Sequence, residues 1–323
     1  MYTLQISTFG DRSEVVELVE APKPGHPKAN EVLVAVEYSP INYSDLLTIR
    51  GRYGVRSALP SGLGNEGVGH VLAVGAGVDH LRVGDRVVIS APRSTWREQV
   101  LLQASGLFPL PPGADPQQLA MLSINPPTAA LLLGEYVALA PGDWVLQNAG
   151  NSGVGRSVIA IAKERGLRTV SLVRRPELLD ELVAAGGDVV LVEGAEAPAQ
   201  IAQATSKAKI ALALDGVGGE SARYLSSSLV PGGVLVVYSA MSGKPGLIKP
   251  LDIIFRRVSI RGFWLDYPEF RDAPKVLEAM KTGARLMDEG KLNVPIAATY
   301  RLTAAKEAFA QAQNGGKVLF DLS

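Results

Sequence analysis

The sequence of 323 residues contains no cysteine. The chain therefore has no disulfide bond, no thiolate ligand for a metal ion and no thiol nucleophile, and redox chemistry does not indicate its compartment. Histidine is scarce as well. The three histidines, His26, His70 and His80, are scattered, and we interpret each as a surface or turn residue and not as a metal ligand.

Long apolar runs and an excess of charge of one sign are also absent. No apolar run reaches the roughly 18 residues that a membrane helix needs, and the first six residues have the pattern of a strand, not of a targeting peptide. Lys and Arg together total 32, as do Asp and Glu, so no net charge attracts nucleic acid or an anionic membrane. We therefore expect a cytoplasmic protein that binds neither nucleic acid nor a membrane.

What the sequence does contain is enough apolar surface for two domains. With 323 residues, of which 47% are hydrophobic and 20% charged, the chain is longer than one ordinary domain and can bury more than one core. We predict that residues 1–120 and 290–323 form one domain and that residues 121–289 form the other.

The first predicted domain is rich in β-strands. Short β-patterned runs separated by Gly, Pro, Asn and Asp indicate a compact all-β or barrel-like arrangement. The clearest runs are Leu4–Ile6, Val15–Val19, Glu31–Tyr38, Gly67–Val74, Arg86–Ile89 and Trp96–Leu102. After a helix near Ala273–Glu289, two short β segments are expected to rejoin this domain, namely Ala298–Arg301 and Lys317–Asp321.

The second predicted domain alternates strands with helices. Between Asp115 and Ala140 the apolar spacing is helical, with an interruption at Asn125-Pro126-Pro127, and another helix opens at Pro176. The six expected strands are Trp144–Asn148, Thr169–Val173, Val189–Val192, Ile210–Leu214, Val234–Tyr238 and Ser259–Phe263. Strands that alternate with helices predict a doubly wound parallel sheet, and hence an α/β fold.

The strongest local signal lies in residues 143–175. A short apolar strand ends at a run that holds Gly150, Gly153 and Gly155, and a helical pattern follows the run. This order is typical of a dinucleotide site, because glycines let the backbone approach a pyrophosphate and the start of a helix favours its charge. The alternative interpretation is a turn with a purely structural role.

The next strand ends in Arg174-Arg175. A site for NAD usually has Asp or Glu at this point, about 20 residues after the loop, to bond the 2′-hydroxyl of the ribose. Two guanidinium groups suit a 2′-phosphate instead and accept no hydrogen bond. The sequence therefore predicts NADPH as the cofactor, with two solvated arginines as the alternative.

The β-rich first part, the doubly wound sheet and the returning tail together resemble the medium-chain dehydrogenase/reductase superfamily, which pairs a GroES-like domain with a Rossmann domain. Zinc-containing members have a cysteine ligand in the region of residues 42–45 and a Gly-His-Glu segment where this chain has Gly64-Asn65-Glu66. Because the cysteine is absent and Asn65 stands in place of the histidine, the resemblance is to the zinc-free branch, and no metal site is expected.

Within that branch the chain is similar to the 2-enoyl thioester reductases, which are NADPH-dependent enzymes of fatty-acid synthesis. The matching segments are Ile41-Asn42-x-Ser44-Asp45, Gly51-x-Tyr53-Gly54, Gly64-Asn65-Glu66-Gly67, Thr95-Trp96-Arg97, Asn125-Pro126, Asn151-Ser152-Gly153-Val154-Gly155 and Arg261-Gly262-Phe263-Trp264-Leu265. Two segments depart from the family pattern. Tyr238-Ser239-Ala240-Met241 stands where the family has Tyr-Gly-Gly-Met, and Arg174-Arg175-Pro176 is a compact form of its arginine signature.

The resemblance implies roles for particular residues. Tyr53 is the implied catalytic residue, which bonds the enolate oxygen and donates a proton, while Asn42 and Trp96 position it and wall the pocket. Contacts with the cofactor are implied for Asn125, Asn151, Ser152, Gly153, Val154, Gly155, Arg174, Arg175, Tyr238, Met241, Phe263, Trp264, Leu265 and Lys317. A structural role is the alternative for each side chain, for example Tyr53 as a loop aromatic or Lys317 as a solvated lysine.

The implied reaction is the NADPH-dependent reduction of the α,β double bond of an enoyl-CoA or an enoyl-acyl carrier protein. Arg50, Arg52, Arg256 and Arg257 are candidates to meet the phosphates of such a substrate. A zinc-free NADPH:quinone or enone oxidoreductase is the first alternative, and a non-catalytic dinucleotide-binding protein is the second. We expect the strand Val258–Gly262 at the edge of the sheet, where pairing with a second copy gives a homodimer.

Overall fold

The computed structural model describes residues 1–11, 13–90, 94–270 and 274–323. The chain folds into two compact units. The first unit contains Met1–Ile124, Met287–Gly290 and Val294–Ser323, and the second contains Asn125–Leu286 and Lys291–Asn293. The boundaries predicted from the sequence, after residue 120 and before residue 290, lie a few residues from these.

The strands of the described residues are numbered along the chain. Those of the first unit are β1 (Tyr2–Ile6), β2 (Val16–Glu20), β3 (Glu31–Ile41), β4 (Ser61–Gly62), β5 (Gly67–Val74), β6 (Arg86–Ile89), β7 (Gln99–Gln103), β14 (Ile296–Tyr300) and β15 (Lys317–Asp321). Those of the second unit are β8 (Trp144–Gln147), β9 (Arg168–Val173), β10 (Val189–Val192), β11 (Ile210–Asp215), β12 (Val234–Val237) and β13 (Ser259–Gly262).

The helices are numbered in the same way. They are α1 (Tyr43–Ile49), α2 (Pro116–Leu119), α3 (Asn125–Gly134), α4 (Gly153–Glu164), α5 (Leu179–Ala184), α6 (Ala197–Ala204), α7 (Gly219–Ser228), α8 (Pro250–Ile254), α9 (Pro274–Asp288) and α10 (Ala305–Asn314). Within the described ranges, none of the helices has the length and apolar character needed to cross a bilayer.

The first unit is built around the long strand β3. Its main sheet has the order β14-β15-β3-β5-β6, β7 also pairs with β3, and a second sheet has the order β2-β1-β4. From Val32 to Val36 the side chains of β3 alternate between buried and half-buried, as expected for a strand with one face on the core. The tail strand β15 pairs antiparallel with β3, within this unit.

The second unit contains a parallel sheet of six strands in the order β10-β9-β8-β11-β12-β13. Every neighbouring pair is parallel. Counted from β8, the order is that of the doubly wound dinucleotide-binding fold, so the predicted fold class is confirmed. All of β8 and most of β9 are buried, because helices cover both faces of such a sheet. As predicted, β13 lies at the edge.

Two helices differ from the sequence prediction. Asn125-Pro126-Pro127 does not interrupt a helix but begins α3, because proline in the first turn gives up an N–H that has no helical partner there. The helix expected from Pro176 begins as a 3-10 turn, Pro176–Leu178, and continues as α5. Ala273, where the predicted last helix of the second domain begins, lies outside the described residues, and α9 starts at Pro274.

Candidate active site

The glycine loop joins β8 to α4 in the second unit. Ser152 is the N-cap of α4, and its Oγ accepts a hydrogen bond from the backbone N–H of Gly155 at 3.0 Å. A Cβ on Gly155 would lie 2.5 Å from the carbonyl oxygen of Ala149, and a Cβ on Gly153 would lie 2.5 Å from Nδ2 of Asn125. Because these glycines have no Cβ, the backbone at the start of α4 can pack closely against its neighbours, and its N–H groups remain accessible to an anionic ligand.

Asn125 and Tyr238 each have a buried polar atom that lacks a hydrogen-bond partner among the described residues. The atoms are Nδ2 of Asn125 and Oη of Tyr238. Gly216 makes room for the phenol, since a Cβ there would lie 2.6 Å from the Tyr238 Oη. Buried polar groups are almost always hydrogen-bonded in folded proteins, so these two donors fit a bound molecule rich in acceptors, as a dinucleotide is.

The phenol of Tyr238 is held in its neutral form. Burial raises the pKa of Tyr238 well above its usual value, and the charge of Asp215 raises it further. Since a neutral phenol keeps its proton, Tyr238 Oη remains a hydrogen-bond donor throughout the working pH range.

Arg174 and Arg175 follow β9 directly and are both exposed. Nε of Arg175 lies 4.0 Å from the exposed carboxylate of Glu177, a spacing that gives a weak ion pair at most. The backbone N–H of Gly150 donates to the carbonyl oxygen of Leu172 at 3.4 Å, which brings the glycine loop beside the end of β9. The two guanidinium groups therefore follow the strand that borders the glycine loop, and no carboxylate occupies the position after β9.

Arg156, in the first turn of α4, is a residue that the sequence did not single out. Its side chain is buried and forms an ion pair with Glu181 of α5. Its Nε also donates to the carbonyl oxygen of Asn151 at 3.3 Å. The guanidinium thus fixes the backbone of the glycine loop between Asn151 and the first turn of α4, which includes Val154.

A buried polar network at the carboxyl ends of β8, β10 and β11 was also missed. Nδ2 of Asn148 donates to Oδ1 of Asp215 at 2.7 Å and to Oγ of Ser221 at 2.9 Å, and its Oδ1 accepts from the N–H of Gly216 at 2.8 Å. Ser221 in turn donates to Glu193 at 2.7 Å. The signal available in the sequence is a polar residue at the end of each apolar strand, where ligands of such sheets bind.

The remaining predicted cofactor residues of the second unit follow β12 and β13. Met241 is exposed, and its N–H donates to the carbonyl oxygen of Gly216 at 3.1 Å. Phe263 is buried and stacks on Phe270 with ring centroids 5.3 Å apart, so its ring is part of the packed core. Trp264 and Leu265 are half-buried at the same carboxyl-terminal edge. Their contact with a cofactor stays a prediction.

In the first unit, Asn42 joins two charged residues. Its Nδ2 donates to Oε1 of Glu66 at 2.7 Å, and its Oδ1 accepts from Nζ of Lys317 at 2.6 Å. The second oxygen of Glu66 accepts from the hydroxyl of Ser123 at 3.2 Å and from the N–H of Ile124 at 3.1 Å. Burial raises the pKa of Glu66 and lowers that of Lys317, while the attraction between the two charges opposes both shifts.

A second buried carboxylate lies in the same group. Asp45 accepts from the backbone N–H of Asn42 at 2.7 Å and from Nδ2 of Asn65 at 2.7 Å. Asn65 is the residue that stands where zinc-containing relatives have histidine, and here it serves as a hydrogen-bond donor to a carboxylate. We call Asn42, Asp45, Asn65, Glu66 and Lys317 the polar cluster.

Lys317 has a hydrogen-bond partner within the first unit. The sequence predicts a contact with the phosphates of the cofactor, but the ammonium donates to Asn42 inside the first unit. The reason is the register of β15 against β3, which pairs Val318 with Ile41 and so brings Lys317 opposite Asn42. Lys317 is thus part of the polar cluster, and its contact with the cofactor phosphates stays a prediction.

Trp96 belongs to the core of the first unit. Its indole is 0% exposed and packs against Phe309 and Phe320, with centroid distances of 5.4 and 5.2 Å. The indole N–H donates to the carbonyl oxygen of Pro40 at 3.3 Å. A fully enclosed ring with its only donor satisfied stabilises the first unit by packing, and the predicted catalytic role of Trp96 stays a prediction.

Tyr53 lies half-buried in the loop that follows α1. The loop is fixed on both sides of it by the ring of Phe9. Gly51, with a φ of 66°, packs against that ring so closely that a Cβ would lie 2.9 Å from it, and the guanidinium of Arg56 lies 4.6 Å from the ring centroid. The loop therefore holds Tyr53 in a defined place in the first unit.

Three of the four arginines considered for the substrate phosphates are engaged within the protein. Arg50 and Arg52 lie 3.2 and 3.7 Å from the carboxylate of Asp11. Arg256 donates to Asp252 at 2.7 Å and to carbonyl oxygens near the end of α7. These contacts orient the arginines locally, and their contact with substrate phosphates stays a prediction.

Across the parts of the chain that the structure describes, no three His, Asp or Glu side chains are grouped so that they can hold a metal ion. The polar cluster contains two carboxylates, and the cation beside them is the ammonium of Lys317.

Comparisons with known proteins agree with this architecture. Residues 28–112 match the alcohol dehydrogenase GroES-like domain, and residues 153–282 match the zinc-binding dehydrogenase family. The mitochondrial enoyl-[acyl-carrier-protein] reductase of Mus musculus is 36% identical over 312 residues, which cover 94% of this chain and 83% of that protein.

Solved structures of two kinds superpose on the whole chain. The mitochondrial 2-enoyl thioester reductase heterodimer of Candida tropicalis matches with a TM-score of 0.88 at 27% identity, and the complex of Etr1p with NADP and crotonyl-CoA matches with a TM-score of 0.86 at 26% identity. A quinone oxidoreductase of Pseudomonas syringae matches with a TM-score of 0.85 at 26% identity. Each match covers 99% of both chains.

The sheet order, the glycine loop and these likenesses define a medium-chain dehydrogenase/reductase with a dinucleotide-binding domain. The chain belongs to the zinc-free branch of this superfamily, among the enoyl thioester reductases.

Proposed function

We propose that this protein is an oxidoreductase that reduces the α,β double bond of 2-enoyl thioesters, with NADPH as the hydride donor. The observation that carries the proposal is the match at 36% identity over 94% of the chain to an enoyl-[acyl-carrier-protein] reductase. The predicted cytoplasmic location stays a prediction, because that relative is named as a mitochondrial protein.

The residues of the second unit support NADPH over NADH. The glycine loop and the unpartnered donors of Asn125 and Tyr238 suit a dinucleotide. Arg174 and Arg175 offer charge-assisted hydrogen bonds to a 2′-phosphate, whereas NADH would leave them without a ligand and has no carboxylate after β9 to bind its ribose. These residues would hold the cofactor, which supplies hydride at Cβ when bound.

The chain's own residues supply the rest of the chemistry. As hydride reaches Cβ, negative charge develops on the thioester oxygen, and Tyr53 donates a hydrogen bond to that oxygen. The Tyr53 proton then moves to Cα, and the resulting phenolate regains a proton from solvent. Asn42 and Lys317 belong to the polar cluster of the unit that carries Tyr53, and the ammonium adds a fixed positive charge there. The substrate is either an enoyl-CoA or an enoyl-acyl carrier protein.

A zinc-free quinone reductase is the second candidate, since a quinone oxidoreductase has the same fold over the whole chain. The purified protein is tested with NADPH and NADH against crotonyl-CoA and against a benzoquinone, with NADPH consumption as the readout. We expect turnover of crotonyl-CoA with NADPH. Turnover of the quinone alone would favour the second candidate, and NADPH binding without turnover of either would favour a non-catalytic role.

We also propose that two copies associate through the edge strand β13. The preceding helix α8 and the following Phe255 expose large apolar side chains, with Leu251 59%, Ile254 62% and Phe255 76% exposed, and Ile260 of β13 is 44% exposed. We call these four residues the apolar edge. Of the described strands, only β12 pairs with β13, on one side, and an open strand edge beside an exposed apolar surface favours pairing with a second copy, which gives a homodimer with a continuous sheet.

A further inference from the structure

Glu66 is a fully buried carboxylate for which neither the sequence nor the proposed function gives a role. Within the described residues its side chain accepts hydrogen bonds from three donors of the first unit: Asn42, Ser123 and the N–H of Ile124. A buried charge is stable only when it is paired and fully hydrogen-bonded, and the nearby cation is Lys317. The two charges are linked by one amide, that of Asn42.

The orientation of this amide is decided by Glu66. A carboxylate only accepts hydrogen bonds, so Asn42 must turn its Nδ2 towards Glu66, and its Oδ1 then faces the ammonium of Lys317. If the carboxylate is lost, nothing requires Oδ1 to face the ammonium. We propose that Glu66 is a positioning residue, which acts through Asn42 to hold the ammonium of Lys317 in one place and to keep it charged. The inference rests on the proposed function only for the catalytic test, because the ionisation of Lys317 can be measured without turnover.

The charges that act on Lys317 come from two elements. They are Glu66, just before β5, and Asp45 on α1, and both favour the ammonium form. The residue opposite Lys317 on β14 is the apolar Ile296. The charged residues of α10, which packs on β15, are exposed to solvent, and they are Lys306 and Glu307. Removal of the Glu66 charge should therefore lower the pKa of Lys317 further below its usual value.

The direct test measures Lys317 without substrate or cofactor. Trace labelling with acetic anhydride over a pH series, with the labelled peptides quantified by mass spectrometry, gives the ionisation curve of this half-buried lysine. For Glu66→Gln we expect the curve to move down by about one pH unit. Glu66→Asp, which restores the charge, should move it back towards the wild-type position.

Glu37→Gln is the matched control. Glu37 lies on β3 in the same unit and its carboxylate accepts from Arg86 at 2.8 Å, so the change removes a partly buried carboxylate outside the polar cluster. We expect it to cost stability and to leave the Lys317 curve in place. If Glu66→Gln does not fold, Asn42→Ala removes the amide that accepts from the ammonium while both charges remain, and a smaller downward shift is expected.

A folded Glu66→Gln or Asn42→Ala protein whose Lys317 curve coincides with that of the wild type would overturn the proposal.

Catalysis gives a second readout. Because activity that needs the ammonium is lost as pH rises through its pKa, the alkaline limb of the kcat/KM profile for crotonyl-CoA should move to lower pH in Glu66→Gln, by the same amount as the labelling curve. If the labelling curve shifts but the alkaline limb of the kcat/KM profile does not, the claim that catalysis needs the Lys317 ammonium is refuted, while the positioning role of Glu66 stands. Absence of crotonyl-CoA turnover in the wild type would refute the proposed function and leave the labelling result valid.

Discussion

A Cβ atom on Gly155 would lie 2.5 Å from the carbonyl oxygen of Ala149. Both atoms belong to the backbone of the loop, so neither can move away as the end of a flexible side chain can. We expect Gly155→Ala to displace the loop, to lower the free energy of unfolding by about 1–3 kcal/mol and to weaken NADPH binding at least about tenfold. Fluorescence titration with NADPH and thermal unfolding measure the two effects.

Gly134→Ala is the control for this substitution. Gly134 is the last residue of α3 in the same unit, and a Cβ there would meet no atom within 4 Å. The control should bind NADPH as the wild type does. Equal binding by both variants would show that the loop does not approach the cofactor.

Arg174→Ala combined with Arg175→Ala tests the preference for NADPH. Loss of two charge-assisted hydrogen bonds to a 2′-phosphate should weaken NADPH binding about a hundredfold and leave NADH binding unchanged, as measured by titration with each nucleotide. Arg168→Ala, at the opposite end of the same strand, is the control and should not alter the ratio of the two affinities. An unchanged ratio in the double variant would contradict the assignment.

Tyr238→Phe is expected to weaken NADPH binding without destabilising the ligand-free protein. The Tyr238 Oη is buried and has no hydrogen-bond partner among the described residues, so its removal should leave the free energy of unfolding of the ligand-free protein unchanged or raise it by about 1 kcal/mol. NADPH affinity should fall about tenfold, because a donor to the cofactor is lost. Tyr300→Phe in the first unit should not change the affinity. Full NADPH affinity in Tyr238→Phe would exclude this hydroxyl from the site.

The apolar edge predicts the oligomeric state. Ile254→Glu combined with Phe255→Glu places two like charges on the surface proposed to meet its symmetry mate, where their desolvation and repulsion oppose association. We expect a dimer for the wild type and a monomer for the variant in size-exclusion chromatography with light scattering. Val83→Glu, at a residue of the first unit that is 65% exposed, should remain dimeric. A monomeric wild type would refute the proposed association.

The fold was predictable from the sequence because its signals are local. The apolar strand before Gly150, the loop itself and the helical spacing after it lie within one stretch, and each has a recognisable pattern. The ends of the other strands are also marked by local patterns. The parallel sheet and the position of β13 at its edge could therefore be predicted from the order of the elements. Helix α3 was misjudged because proline breaks a helix only after its first turn.

Parts of the site were not predictable because they depend on register and on contacts between distant residues. Lys317 meets Asn42 across 275 positions of sequence, and only the pairing of β15 with β3 decides this. Asn148 and Ser221 are likewise joined across 73 positions. Trp96 has an aromatic side chain suited to either a pocket or a core, and nothing in its local sequence shows whether its ring is buried.

The central claim is that Tyr53 assists the reduction of an enoyl thioester by NADPH, and Tyr53→Phe tests it most directly. The substitution removes one hydroxyl from a half-buried loop residue and keeps its ring. We expect kcat/KM for crotonyl-CoA to fall about a hundredfold or more, while the Kd for NADPH and any turnover of a quinone stay at wild-type values. Reduction of crotonyl-CoA by Tyr53→Phe at the wild-type rate would contradict the account.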